Sequence, residues 1–366
     1  MTKMINVSRR GAAVGLVLLA GACGSASSNN NNDDDEPDAA SAPVDALNPC
    51  AGDPCANDGT CVPDGTAFSC DCQPGWTGDT CANDIDECAE NLDDCGVGAT
   101  CENTEGSFEC ACDGSQEIAG IGAVDAFEVP ACAETVTITA RGAQGGGANG
   151  GLGASMTGTF TVTGGETLKL VVGLQGDTNT CGAAPASGGG GGGTFVWRTD
   201  ADPLPMIAAG GGGGGNGNWG VDCADGLDAS AGEDGVAGSG ATSALGGTGG
   251  SGGAGNAPSG TGAGGAGWLS AGQNSTYDGT TGGQGLPSFA GGVTAAGFAP
   301  GFGGFGGGGG AVCGCGGGGG YSGGGGGEGF SCRAGGGGGG SYNGGTDQDN
   351  VGGVITGDGS ITITWQ

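Results

Sequence analysis

Apolar positions along this 366-residue chain fall into three unlike kinds of stretch. Residues 11–22 form one short apolar run behind a basic start that carries Lys3, Arg9 and Arg10. Twelve residues are too few to cross a bilayer core of about 30 Å, so residues 1–22 read as a signal segment. Residues 23–47 hold almost no apolar side chains, with asparagine at 29–32 and an acidic run at 33–36. Like charges repel and nothing is left to bury, which predicts an extended stalk. Beyond residue 133, short β-branched and aromatic segments recur at 135–140, 156–162, 167–172, 194–197, 205–208 and 361–365. Several alternate with period two, the signature of half-buried strands. The chain is therefore expected to be mainly β, with an antiparallel sandwich closed by pairing its first and last strands.

Between those strands lie runs of glycine at 188–193, 210–215, 306–310, 316–320, 323–327 and 335–340. Glycine supplies 84 of the 234 residues from 133 onward. No Gly-X-Y period is present, so the composition is not collagenous. Loose loops are one reading, since glycine loses the most entropy on ordering. Six runs of nearly equal length favour a repeated element instead. Helices of the polyproline II type have three residues per turn and no internal hydrogen bonds. Free of side chains, they can pack together so that each N–H finds a carbonyl on a neighbour. Packed polyglycine II helices inserted into the sandwich are the expectation.

Charge and missing residue types narrow the function. Seven Lys/Arg face 39 Asp/Glu, a net charge of −32. Such a surface repels nucleic acid and anionic headgroups and favours cations and basic partners. There is no histidine, which removes Ser-His-Asp and Cys-His pairs, HExxH metal sites and histidine acid–base chemistry. No glycine run is followed by Lys-Ser or Lys-Thr, so none is a phosphate-binding loop. The many carboxylates lie mostly in the stalk and in turns, where solvation is their ordinary fate. No catalytic residue, and no enzymatic activity, is expected.

Eighteen cysteines indicate a disulfide framework made in an oxidising compartment. Cys50, Cys55, Cys61, Cys70, Cys72 and Cys81 have gaps of 4, 5, 8, 1 and 8 residues, with Gln73, Pro74, Gly75 and Trp76 before the last. This region, residues 48–82, resembles an EGF-like module, which implies pairing 50–61, 55–70 and 72–81. Cys88, Cys95, Cys101, Cys110 and Cys112 open a second module at 84–132. Asp84, Ile85, Asp86 and Glu87 precede it, and Asn103, Thr104, Glu105, Gly106, Ser107 and Phe108 lie between its third and fourth cysteines. Together these resemble the calcium-binding EGF pattern. Calcium takes six to eight oxygens at about 2.3–2.6 Å. The resemblance implies side-chain oxygens from Asp84, Glu87 and Asn103, and backbone oxygens from Ile85, Thr104 and Ser107. It also implies pairing 88–101 and 95–110, and packing of Phe108 against the first module, so that calcium stiffens the joint. Cys132 either closes this module with Cys112, the favoured pairing, or belongs to a strand at 127–132. The partners of Cys181, Cys223, Cys313, Cys315 and Cys332 stay open.

Two further resemblances complete the expectation. Leu19, Ala20, Gly21 and Ala22 before Cys23 resemble a bacterial lipobox, implying a lipid on Cys23; Gly24 after it implies an outer-membrane destination. The segment 188–215, with 140–146, 170–176 and the cysteine-containing glycine stretch from 303, resembles the glycine-rich ectodomain of the anaplastic lymphoma kinase and leukocyte tyrosine kinase receptors. That resemblance covers about 127–366 and implies a tumour-necrosis-factor-like sandwich that binds protein ligands. It implies no kinase activity: the HRD, VAIK and DFG motifs are all missing. The expected function is calcium-stiffened adhesion or protein recognition by an extracytoplasmic, lipid-anchored protein with an extracellular protein or surface ligand as partner. The alternative is a passive component of the envelope or matrix that associates with its own kind.

Overall fold

The computed structural model describes residues 48–96, 98–180, 186–215, 225–240, 244–255, 262–276, 279–294, 301–312, 314–328 and 334–366. The signal, stalk and Cys23 lie outside them, as do Cys181, Cys223, Cys313 and Cys332. The fold is mainly β, as the alternation implied, with one helix of four residues among the described residues.

The described residues open with two disulfide-bonded hairpin modules. One pairs β1 (Thr60–Asp64) with β2 (Ala67–Asp71). A short ladder of β3 (Trp76–Thr77) and β4 (Asn83–Asp84) leads out of it. The other begins with helix α1 (Glu87–Glu90) and pairs β5 (Thr100–Thr104) with β6 (Ser107–Ala111). Modules this small cannot bury enough apolar surface to hold themselves, and their cross-links are Cys50–Cys61, Cys55–Cys70, Cys72–Cys81, Cys88–Cys101, Cys95–Cys110 and Cys112–Cys132.

The larger unit is built on twelve further strands: β7 (Gly114–Ala119), β8 (Asp125–Glu128), β9 (Thr135–Arg141), β10 (Gly153–Thr161), β11 (Thr167–Val171), β12 (Thr178–Thr180), β13 (Ala186–Gly188), β14 (Thr194–Trp197), β15 (Ile207–Ala209), β16 (Tyr342–Asn343), β17 (Thr346–Ile355) and β18 (Ser360–Trp365). Apart from the small β12–β13 ladder they form two five-stranded antiparallel sheets, ordered β17-β10-β9-β18-β7 and β16-β15-β14-β11-β8. The pairing of β9 with β18 joins the two ends of the domain, from Val136 opposite Trp365 to Arg141 opposite Ser360. Alternation places Val136, Ile138 and Ala140 of β9, Met156 and Phe160 of β10, and Ile361 and Ile363 of β18 on one face. Leu168, Leu170, Val196 and Ile207 meet them from the second sheet. The other face of the first sheet is polar, with Thr137 bonded to Thr159 (3.1 Å) and Thr139 to Thr157 (3.0 Å).

The second sheet has no solvent face at its centre. All four residues of β14 are buried. Val196 points into the inter-sheet core, while Phe195 and Trp197 belong to a second cluster with Trp268, Phe289 and Tyr321 from the glycine-rich region. The Phe195 and Phe289 rings are 5.0 Å apart, and Trp197 meets the edge of Trp268 at 5.7 Å. Asp200 fixes this corner by accepting from Trp197 Nε1 (3.0 Å) and from Lys169 (2.8 Å). These aromatic side chains anchor the glycine runs to the sandwich.

The runs themselves are buried and cross-bonded with a period of three. Gly189, Gly190, Gly191, Gly192 and Gly193 donate in turn to the carbonyls of Asp177, Gly309, Gly212, Leu174 and Gly306. Positions three apart thus address the same neighbour, and each such step moves the acceptor by three residues. The run 210–215 repeats the rule: Gly211 and Gly214 donate to Gly319 and Gly316, Gly212 and Gly215 to Ala143 and Gly146, and Gly213 to Leu227. Three neighbours, addressed in rotation, are what packed three-residue-per-turn helices require. Hydroxyls step in where the lattice meets other structure. Thr194 Oγ1 accepts from Gly173 N (2.9 Å) and donates to Arg141 O (2.6 Å), and Ser341 Oγ does the same between Gly210 N and Ser230 O.

A side chain cannot enter this lattice. A Cβ on Gly190 would fall on the carbonyl of Gly317, far inside van der Waals contact, whereas one on Gly96 meets nothing within 4 Å. Gly190→Ala is expected to cost about 3 kcal/mol through overpacking, and Gly96→Ala to stay within about 0.5 kcal/mol. Chemical denaturation of the two variants beside the parent measures both.

Candidate calcium site

The residues proposed from sequence lie at the junction of the two hairpin modules. Asp84 ends β4, opposite Trp76 of β3. The next residue, Ile85, donates its N–H to Gly75 O at 2.9 Å, tying the entry of the second module to the exit of the first. Asp86 then caps α1 by accepting from Ala89 N at 2.9 Å, which satisfies an otherwise orphaned donor of the first turn. This sets Glu87 as the first helical residue, and its side chain is buried.

The other segment is the β5–β6 hairpin. Thr104 stands opposite Ser107 and Asn103 opposite Phe108, around a tight turn with Gly106 at φ +77°. Folding brings Asp84 into direct contact with this turn. Its carboxylate accepts from Asn103 Nδ2 (2.8 Å) and from the Gly106 N–H. The Gly106 N–H first, and the Asn103 amide second, hold the Asp84 carboxyl below its ordinary value, with slight burial opposing them. Because the Asn103 nitrogen is used in this way, its Oδ1 is the atom free in chemistry to face a cation.

Glu87 adds a buried carboxylate oxygen to this junction. Its Oε2 is buried and has no hydrogen-bond partner among the described residues. A buried carboxylate oxygen without a donor is costly. With an Asp and an Asn held together three and sixteen residues away in sequence, the donors are all oxygen, as a hard cation demands. The residues present therefore fit calcium. The structure unites Asp84, Asn103 and the Thr104–Ser107 turn directly, and links Ile85 to them through Gly75; no hydrogen bond joins Glu87 to the others. A second grouping, Asp93 with Cys95 and Cys101, is no thiolate site, since both sulfurs are in disulfides.

Phe108 is half-buried. At the joint Gly75 and Trp76 closely approach Gly106: a Cβ on Gly75 would strike the Gly106 carbonyl, and one on Gly106 the Trp76 indole. The CQPGW signature of the first module carried that signal, as a glycine and an aromatic at its exit.

Comparison with known proteins finds two domain families over these modules. Residues 50–80 match the EGF-like domain and residues 84–121 the calcium-binding EGF domain. The chain is 45% identical over 69 residues to Protein HEG homolog 1 of Homo sapiens, covering 18% of this chain and 5% of that protein. It is 38% identical over 94 residues to a cubilin homolog of Caenorhabditis elegans, covering 25% and 2%. With uromodulin of Rattus norvegicus it shares 43% over 76 residues, covering 20% and 12%. The chain thus spans a small part of the length of these relatives.

These matches correct the reading of the chain as a bacterial lipoprotein with a kinase-receptor-like head. The relatives are animal proteins and point to a eukaryotic protein. The lipobox likeness rested on four small or apolar residues before Cys23, a pattern short enough to arise in any apolar leader, against matches of 69 to 94 residues. Neither a lipid on Cys23 nor an outer-membrane location is retained. What stands is an extracellular or cell-surface protein with EGF and calcium-binding EGF domains, and no helix among the described residues is long and apolar enough to cross a membrane.

The buried Glu87 carboxylate yields a sign reversal. Without calcium, Glu87→Gln is expected to stabilise the second module by about 1 kcal/mol, because it removes an unpaired buried charge. With saturating calcium the same change is expected to destabilise. Thermal unfolding in chelator and in calcium compares the two.

Proposed function

We propose that this protein is a non-enzymatic extracellular recognition or adhesion protein whose second EGF module binds calcium. The observation that carries the reading is the buried, unpartnered Glu87 Oε2 beside a module in which Asp84 and Asn103 are already in contact. Asp84, Glu87 and Asn103 would supply side-chain oxygens, and Ile85, Thr104 and Ser107 backbone oxygens. The Asn103 amide, held by Asp84 through its nitrogen, would turn its Oδ1 to the ion. Since Gly106 also abuts Trp76, calcium would stiffen the step between the modules at 48–82 and 84–132.

The head that follows, about 127–366, is a shaped surface and not a tether, because its glycine runs are cross-bonded and buried. A net charge of −32 favours a cationic or basic partner. The matches to HEG, cubilin and uromodulin support an extracellular ligand without saying which.

Titration calorimetry on the full chain is expected to show saturable calcium uptake, with Kd about 10⁻⁴–10⁻³ M as in extracellular modules, and its loss in Glu87→Ala. A parent protein that takes up no calcium, with its disulfides intact by mass spectrometry, would overturn the calcium reading.

A further inference from the structure

The second EGF module does not end where the head begins. Its closing disulfide, Cys112–Cys132, encloses two strands that belong to the sandwich. The first, β7, forms an edge of one sheet by pairing along the whole of β18, from Gly114 opposite Trp365 to Ala119 opposite Ser360. The second, β8, forms an edge of the other sheet by pairing with β11, from Asp125 opposite Leu170 to Glu128 opposite Thr167. One disulfide loop therefore supplies an edge strand to each layer. Side chains confirm the mixing: Phe127 and Val129 from the loop are in the inter-sheet core, Cys112 and Ile118 pack on it, and the Phe127 and Trp365 rings lie 5.8 Å apart. The calcium-binding EGF match itself runs to residue 121, through β7.

The hairpin that presents Asn103 leads into this loop with little slack. β6 ends at Ala111, Cys112 follows, and β7 begins at Gly114, where a Cβ would strike the Trp365 indole. We infer that the Cys112–Cys132 loop couples the calcium site to the sandwich, so that the second module and the head open as one unit and calcium is a ligand that stabilises the head. The inference rests on the calcium reading above and adds to it a route and a regulated element. Its physical basis is linkage: a ligand that binds only the closed form raises the opening free energy of everything that must open with its site.

Hydrogen exchange on the full chain, with and without calcium, tests it alongside calorimetry. Amides of Gly114–Ala119 and Ser360–Trp365 are expected to exchange more slowly with calcium, by up to about a hundredfold at a hundred times Kd. Heat of binding with unchanged exchange in Ser360–Trp365 would overturn this inference alone. No heat at all would overturn it together with the calcium reading. In the double variant C112A/C132A, calcium is expected still to bind while the Ser360–Trp365 response disappears; a response that survives would refute the route. Gly114→Ala, which forces Trp365 to move with every disulfide intact, is expected to weaken the same response and guards against a variant that misfolds.

Discussion

Everything in the head depends on main-chain polar groups satisfying one another across segments that have no side chains. A buried backbone N–H or carbonyl without a partner costs as much as a lost hydrogen bond. Glycine runs offer nothing to offset that cost: no apolar area, and the largest entropy loss on ordering. The rotation of partners along Gly189 to Gly193 meets the requirement, since each turn of three residues gives one bond to each of three neighbours. Such an array cannot start by itself, because no run is stable until its neighbours are in place. The sandwich supplies the start. Phe195, Trp197 and Ala208 present an apolar face, and Trp268, Phe289 and Tyr321 cover it from the glycine-rich side. The hydrophobic effect thus fixes the ends, and hydrogen bonding fills what lies between.

The EGF modules solve the same problem of too little core by another means. They are cross-linked where the head is cross-bonded, and the two strategies meet in the Cys112–Cys132 loop. That loop explains why the sandwich has strands that do not follow one another in the head's own sequence. Without β7 and β8, β18 and β11 would be open edges, and open edges invite pairing with other chains. The covalent loop covers both.

The sequence exposed these features unevenly. Strands β9, β11 and β18 are readable because alternation leaves one face apolar, and β14 because Phe195, Val196 and Trp197 form an unbroken apolar run. The edge strand β17 escaped notice: Asp347, Asp349, Asn350, Gly352 and Gly353 are poor strand formers, tolerated because β17 lies at a sheet edge with only β10 beside it. β7 is hidden for a different reason, since Gly114 to Ala119 lies inside a cysteine loop and so reads as module, not sheet. At the candidate calcium site, the resemblance to the calcium-binding EGF pattern implied Asp84, Glu87 and Asn103. Neither the orphaned Glu87 Oε2 nor the Gly75–Gly106 approach could be seen before the two modules were placed in space. The N-terminal pattern misled because a few small residues before a cysteine carry little information next to a whole module.

The acidity of the chain and its candidate calcium site can be understood together. A surface with 39 carboxylates opposes its own compaction. In the head this cost stays small, because among the described residues the buried glycine runs hold no charged group. At the module junction the opposite holds: Asp84, Asp86 and Glu87 crowd into four residues, and one of them is buried. Asp86 accepts a hydrogen bond from the Ala89 N–H of α1, and Asp84 accepts from the Gly106 N–H and the Asn103 amide. Glu87 has no such partner. A divalent cation would offset this imbalance at neutral pH without protonating the carboxylate, and its arrival would tighten the turn on which the first module rests.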